Sequence, residues 1–211
     1  MHGLATNWMD PAWLLERFGS QFFWVSTAIV FIECGLLFPI LPGDSLLFAI
    51  GLFIANGTLD FNLVTACVIL SAAAFAGNVA GYEIGRAIGT PLYRRQGRFV
   101  NAANFDKTHA FFERYGAKAL ILGRFVPIVR TFITVVAGVG RMDRRHFFLW
   151  SGVGAVLWAV GVTLAGYFLG QTFPGLKDHL EMVILLIVAV SVLPMVYEYL
   201  KHRREATRTQ S

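Results

Sequence analysis

Residues 119–140, ALILGRFVPIVRTFITVVAGVG, constrain this chain more than any other stretch: the run is apolar enough to enter a bilayer, yet it holds Arg124 and Arg130 with Pro127 between them. An arginine at the centre of a spanning helix costs roughly 2.5–3.5 kcal/mol on insertion scales, so such residues face a protein interior or a wet cavity and take a partner. Acidic candidates lie upstream. Residues 29–55, IVFIECGLLFPILPGDSLLFAIGLFIA, carry Glu33 and Asp44 in an equally apolar setting that Pro39, Pro42 and Gly43 interrupt. The expectation is that these two broken apolar segments meet face to face.

Composition sets the solvent. Of 211 residues, 56% are hydrophobic and 15% charged, against about 25% charged in a typical soluble domain. The chain is therefore read as an all-α integral membrane protein. Apolar runs fall at about 21–38, 45–55, 63–82, 119–140, 147–169 and 180–199, and a span needs about 20 residues. The run 45–55 is too short, because a helix of that length covers about 16 Å. It reads as one arm of a re-entrant hairpin. Residues 21–38 either cross the membrane or form the other arm, which leaves the side of the N-terminus open. Asp44 and Ser45 are good N-cap types, so Asp44 either caps the following helix or pairs with an arginine. Glu33, in mid-run, has no capping role and is expected to pair.

Residues 1–20 read as an interfacial lead-in, with Trp8, Trp13 and Phe18 among polar residues and no cleavable leader expected. Residues 21–204 form one membrane domain, and 205–211 a basic tail. Cys34 and Cys67 sit in apolar runs as small hydrophobes, and no metal-ligand spacing occurs. Pro194 is expected to kink the last span. Basic residues concentrate in a loop over 86–118, again at Arg141, Arg144 and Arg145, and in the tail. The positive-inside rule puts all three in the cytoplasm, including the C-terminus. Because both flanks of 119–140 are basic, that segment must return to the side it came from. Its re-entrance thus follows from charge alone.

An internal repeat supports the same plan. A shift of 85 residues lays Pro42 on Pro127 and Ala80-Gly81-Tyr82-x-x-Gly85 on Ala165-Gly166-Tyr167-x-x-Gly170, and one further residue lays Asp44 on Arg130. Each unit is a broken segment followed by a span, so the second unit lies upside down relative to the first. Inverted repeats of this kind bind substrate where broken helices meet near the midplane. On a continuous helix Arg124 and Arg130 would point about 240° apart. Pro127 breaks that helix and lets both guanidinium groups reach one cavity suited to a phosphate.

FIECGLLFPILPGDSLLF (31–48), FDKTHAFFERYG (105–116), GRFVPIVRTF (123–132) and AGVGRM (137–142) resemble the DedA family of bacterial inner-membrane proteins, over about residues 20–204. The resemblance implies two opposed re-entrant hairpins plus spanning helices, and lipid movement between leaflets that depends on the proton-motive force. Undecaprenyl phosphate and phosphatidylethanolamine are the lipids it suggests. It also implies that Glu33 and Asp44 match the family's membrane-embedded acids and that Arg124 and Arg130 match its essential arginines. Asn78 stands where many relatives carry an acid, which leaves that position without a titratable group.

The expected activity is that of a lipid translocase in which the arginines receive a phosphate headgroup and the acids exchange protons. A proton-coupled small-solute or drug antiporter would use the same residues. No nucleophile–base pair suggests an enzyme, and a structural role in envelope assembly predicts that neutralising the four charges spares function. Expected partners are membrane lipids and protons or another coupling cation, with no cofactor and no nucleic acid, and the chain is open to homo-oligomerisation.

Overall fold

The computed structural model describes residues 11–35, 42–94, 120–121 and 127–172, all helical or in short turns. Six helices order the described chain: α1 Pro11–Phe18, α2 Phe22–Gly35, α3 Gly43–Ala55, α4 Leu63–Arg94, α5 Pro127–Val139 and α6 Arg144–Thr172. Three stretches are long and apolar enough to cross a membrane: Pro11–Gly35, Leu63–Ile88 and Arg144–Thr172. The run 180–199 with Pro194, most of the 86–118 loop and the basic tail lie outside the described residues.

Three boundaries differ from the sequence reading. A 3-10 turn, Gly19–Gln21, joins α1 to α2, and Pro11 and Leu14 are buried against the bundle. The lead-in is thus packed protein, because Ala12, Trp13 and Leu15 extend the apolar core instead of lying alone in the interface. Helix α4 continues to Arg94, so 86–94 belong to the helix and not to a loop: the small residues over 77–89 do not by themselves end a helix that is supported by its neighbours, and the helix runs on through Pro91. The third boundary is the start of α3, where the N-cap is Pro42 without a side-chain bond. Ser45 Oγ donates back to the Pro42 carbonyl at 2.8 Å, and Asp44 turns elsewhere.

Helices α2 and α3 make an antiparallel pair whose ends meet. At the outer end the rings of Phe22 and Phe53 meet edge to face with centroids 5.5 Å apart. At the inner end the Gly43 N–H donates to Glu33 Oε2 at 2.7 Å. The residues linking them, 36–41, with Pro39, lie outside the described set.

Each short helix packs chiefly on a long helix distant in sequence, α3 on α6 and α5 on α4, while α3 scarcely touches α4. Glycine makes both crossings close. A Cβ on Gly51 would strike the Thr163 carbonyl, and one on Gly166 the Phe48 carbonyl; likewise one on Gly138 would strike the Tyr82 carbonyl, and one on Gly85 the Val135 carbonyl. The 85-residue shift pairs Gly81 with Gly166, whereas the crossings pair Gly85 with Gly166, one helical turn further on. Helices α3 and α5 also lead to opposite ends of α4. The first ends at the 56–62 link before Leu63, and the second at the 140–143 turn, where Tyr82 Oη donates to the Met142 carbonyl.

Caps fix the long helices. Asn62 Oδ1 accepts from the Thr65 N–H at 3.1 Å at the start of α4, and Asp143 Oδ1 from the His146 N–H at 2.9 Å at the start of α6, each worth about 1 kcal/mol. Near the same end Arg144 and Glu83 form a bidentate pair, both bonds 2.9 Å. It is half-exposed, so its contribution to stability is small.

Candidate functional site

Glu33 belongs to the last turn of α2, two residues before Gly35, and is 1% exposed. A helix end at that depth leaves the neighbouring N-terminus of α3 with unmet N–H donors, and Pro42 offers them no side chain. Glu33 fills the gap from outside the helix. Its Oε2 takes the Gly43 N–H, and a Cβ at position 43 would fall on that oxygen. Glycine is needed there for close approach, and the dipole of α3 supports the negative charge.

The other carboxylate oxygen, Oε1, accepts from Arg130 Nη2. Arg130 sits in the first turn of α5, which opens at Pro127, a residue favoured where the missing N–H would be unsatisfied anyway. Its Nη1 donates to Asp44 Oδ1 at 2.7 Å. Asp44 is thus a partner of arginine, not the N-cap of α3. One guanidinium therefore holds two acids from two helices, as charge-assisted bonds that are strong in a water-poor interior. The burial is graded: the Arg130 side chain is 7% exposed, Glu33 1% and Asp44 24%. Asp44 is the most accessible of the three.

Trp158 of α6 completes the cluster. Its Nε1–H donates to the same Asp44 Oδ1 at 2.7 Å, and its ring lies beneath the Arg130 guanidinium carbon, 4.7 Å from the centroid, a favourable cation–π position. Sequence reasoning missed this residue. The available signal was an indole N–H in mid-span, which needs an acceptor once buried.

Arg130 Nε is buried with no hydrogen-bond partner among the described residues. The same holds for the Asn78 amide nitrogen, on a residue 1% exposed. Asn78 follows Gly77, against which α2 packs so closely that a Cβ there would lie 2.5 Å from the Phe31 carbonyl. Of the site residues expected from sequence, Glu33, Asp44 and Arg130 are brought together, and Pro42, Gly43 and Pro127 mark helix starts; Arg124 and Pro39 lie outside the described residues.

The site draws one acid from the end of α2, one from the start of α3, an arginine from the start of α5 and an indole from the middle of α6. Such a constellation can neutralise itself, exchange a proton, or release its arginine to an incoming anion. The chain was compared with known proteins. The VTT domain family matches residues 41–168. DedA of Escherichia coli K12 is 42% identical over 92% of this chain and 90% of its own length. An uncharacterized membrane protein of Mycobacterium tuberculosis H37Rv is 45% identical over 88% of this chain and 83% of its own. The inner membrane protein YqjA of E. coli K12 is 32% identical over 80% and 77%. No solved structure matches. With the apolar spans, the VTT match over residues that include Asp44, Arg130 and Trp158, and 42% identity along 90% of DedA, this chain is a membrane protein that belongs to the DedA family.

Proposed function

We propose that the protein is a lipid translocase of the bacterial inner membrane that admits the phosphate of a lipid headgroup to Arg130 and couples this to protonation of Glu33 and Asp44. The observation that carries the reading is a buried arginine whose donors are shared between two acids while Nε has no partner among the described residues. An anion reaching Nε and one Nη would meet the planar fork that suits phosphate. It must displace Asp44 first, the more exposed acid, and once the arginine's charge is given to the anion, Glu33, buried and out of reach of water, takes up a proton instead of standing charged and alone. Phosphate binding and proton uptake are then one event. Arg124, six residues before Arg130, is the second headgroup ligand in this reading.

Two re-entrant segments, about 29–55 and 119–140, form the pathway. Supporting this are the meeting of the α2 and α3 ends and the departure of α3 and α5 toward opposite ends of α4. Helix N-termini at Gly43 and Pro127 point their positive ends toward the cluster, as broken helices do in transporters of anionic substrates. Cysteines placed at 116 and 141 in a Cys34→Ala, Cys67→Ala background are expected to react with a membrane-impermeant maleimide from the same side. Reaction from opposite sides would mean that 119–140 crosses.

The transport test uses purified protein in proteoliposomes that contain a phospholipid with a labelled headgroup. Wild type is expected to move the lipid between leaflets with a rate that responds to a pH gradient. Glu33→Gln should still bind lipid but lose that response. Unchanged coupling in Glu33→Gln removes Glu33 from the proton path, and solute flux without lipid movement favours the antiporter.

A further inference from the structure

On the outside of the bundle, between α4 and α6, lies a groove of about 640 Å³. Leu63, Cys67 and Phe75 line one wall, and Gly152, Val156 and Leu164 the other. The walls run antiparallel: a Cβ on Gly152 would touch the Phe75 ring at 3.5 Å, which closes one end, while Leu63 and Leu164 stand at the other. From Leu63 to Phe75 is twelve residues, about 18 Å of helix. One leaflet of the hydrocarbon core is about 15 Å deep. The groove therefore starts at the end of the bundle beside the 56–62 link and stops near mid-membrane, a depth of one leaflet.

Its chemistry is equally narrow. Both walls belong to stretches apolar enough to span a membrane, and Val64 and Val68 on its rim are 70% and 62% exposed. Ser71 brings a hydroxyl that is buried and without a partner among the described residues. The groove is separate from the charged cluster, since Trp158 lies two residues from Val156 and hence about 200° round α6.

We propose that this groove is a binding site for one hydrocarbon chain of a membrane lipid drawn from the leaflet beside the 56–62 link, with the chain end resting against Phe75 and Gly152. The lipid's headgroup stays at that surface, beyond Leu63 and Leu164, so the site is distinct from the arginine cluster. It stands whether or not the protein translocates lipid. Two aspects of the fold favour it: the groove opens sideways to the bilayer, and its closed end makes chain length matter.

The test is photo-cross-linking of the purified full chain in nanodiscs doped with a phosphatidylcholine carrying a diazirine near the terminal methyl of one chain. Adducts mapped by mass spectrometry are expected at Phe75, Gly152 and Val156. Ala72→Trp fills the groove and should lower these adducts about tenfold, equivalent to ~1.4 kcal/mol, while adducts at the exposed Trp24 and Phe168 stay constant. Val160→Trp gives the same test if Ala72→Trp does not fold. Adducts spread evenly over exposed positions and indifferent to both substitutions would overturn the proposal. So would cross-linking of Cys67 to Cys67 of a second copy, or to a cysteine placed in 180–199, either of which assigns the groove to protein.

Discussion

Arg130→Ala is expected to destabilise the protein by about 3–5 kcal/mol, because removing one partner of a buried ion pair strands the others. Here two carboxylates are stranded together, and Glu33, 1% exposed, cannot reach water. Arg130→Lys should lie between alanine and wild type: an ammonium restores the charge but not the fork that bonds both acids, and it does not stack on Trp158 in the same way. Trp158→Phe keeps a ring under the guanidinium and deletes the indole donor to Asp44, a bond to a charged group worth about 1.5–3 kcal/mol. The informative variant is the triple change Arg130→Met, Glu33→Gln, Asp44→Asn. It should recover much of the stability lost in Arg130→Ala, since no charge is left buried, yet transport no lipid. Thermal unfolding in detergent beside the headgroup flip assay separates the two quantities. Wild-type stability in Arg130→Ala would show that the cluster does not bind its arginine as described.

Gly166→Leu should prevent a native bundle from forming. Its Cβ has no room under the Phe48 carbonyl, and the obstacle is backbone, which cannot rotate away as a side chain does. Overpacking a core with methylenes usually costs about 1–3 kcal/mol; forcing α3 off α6 costs more, because it also withdraws Asp44 from Trp158. Gly161→Leu is the control, five residues earlier on the same helix, with nothing within 4 Å of its Cβ. Size-exclusion profiles in detergent should be monodisperse for Gly161→Leu and aggregated for Gly166→Leu. Equal behaviour of the two would show that α3 does not cross α6 at this point.

The pairing of Glu33 with an arginine was legible in the sequence, since both stood in runs where an unpaired charge is too costly to keep, while Asp44 stayed open between pairing and capping. The chain breaks at Pro42–Gly43 and at Pro127 were equally open, because proline and glycine act locally, although the residue at which each helix begins was not. What sequence could not reveal was the division of labour between the two acids. Asp44 carries the residue type and position of an N-cap, and only the approach of Arg130 and Trp158 explains why it faces away from its own backbone while Glu33, eleven residues earlier, serves that backbone instead. The continuation of α4 to Arg94 was hidden for a different reason. Glycines at 77, 81, 85 and 89, and Pro91 above all, lower helix propensity, and the packing of α2 and α5 on α4 that supports the helix is invisible in the local sequence. The repeat was readable as identities but not as packing, which is offset by a turn.

The reciprocal packing of short on long helices has a consequence for synthesis. A chain emerges from the ribosome N-terminal part first, so Glu33 and Asp44 are made some ninety residues before Arg130, and α3 more than a hundred residues before its support on α6. Contacts of such sequence separation are the slow ones to form. The first half therefore enters the membrane with two acids whose counter-ion does not yet exist, and completes its own fold only when the second half arrives to finish it. Insertion and folding are separate events in this protein, and the last helix-borne partner to be translated, Trp158, is the one that closes the site.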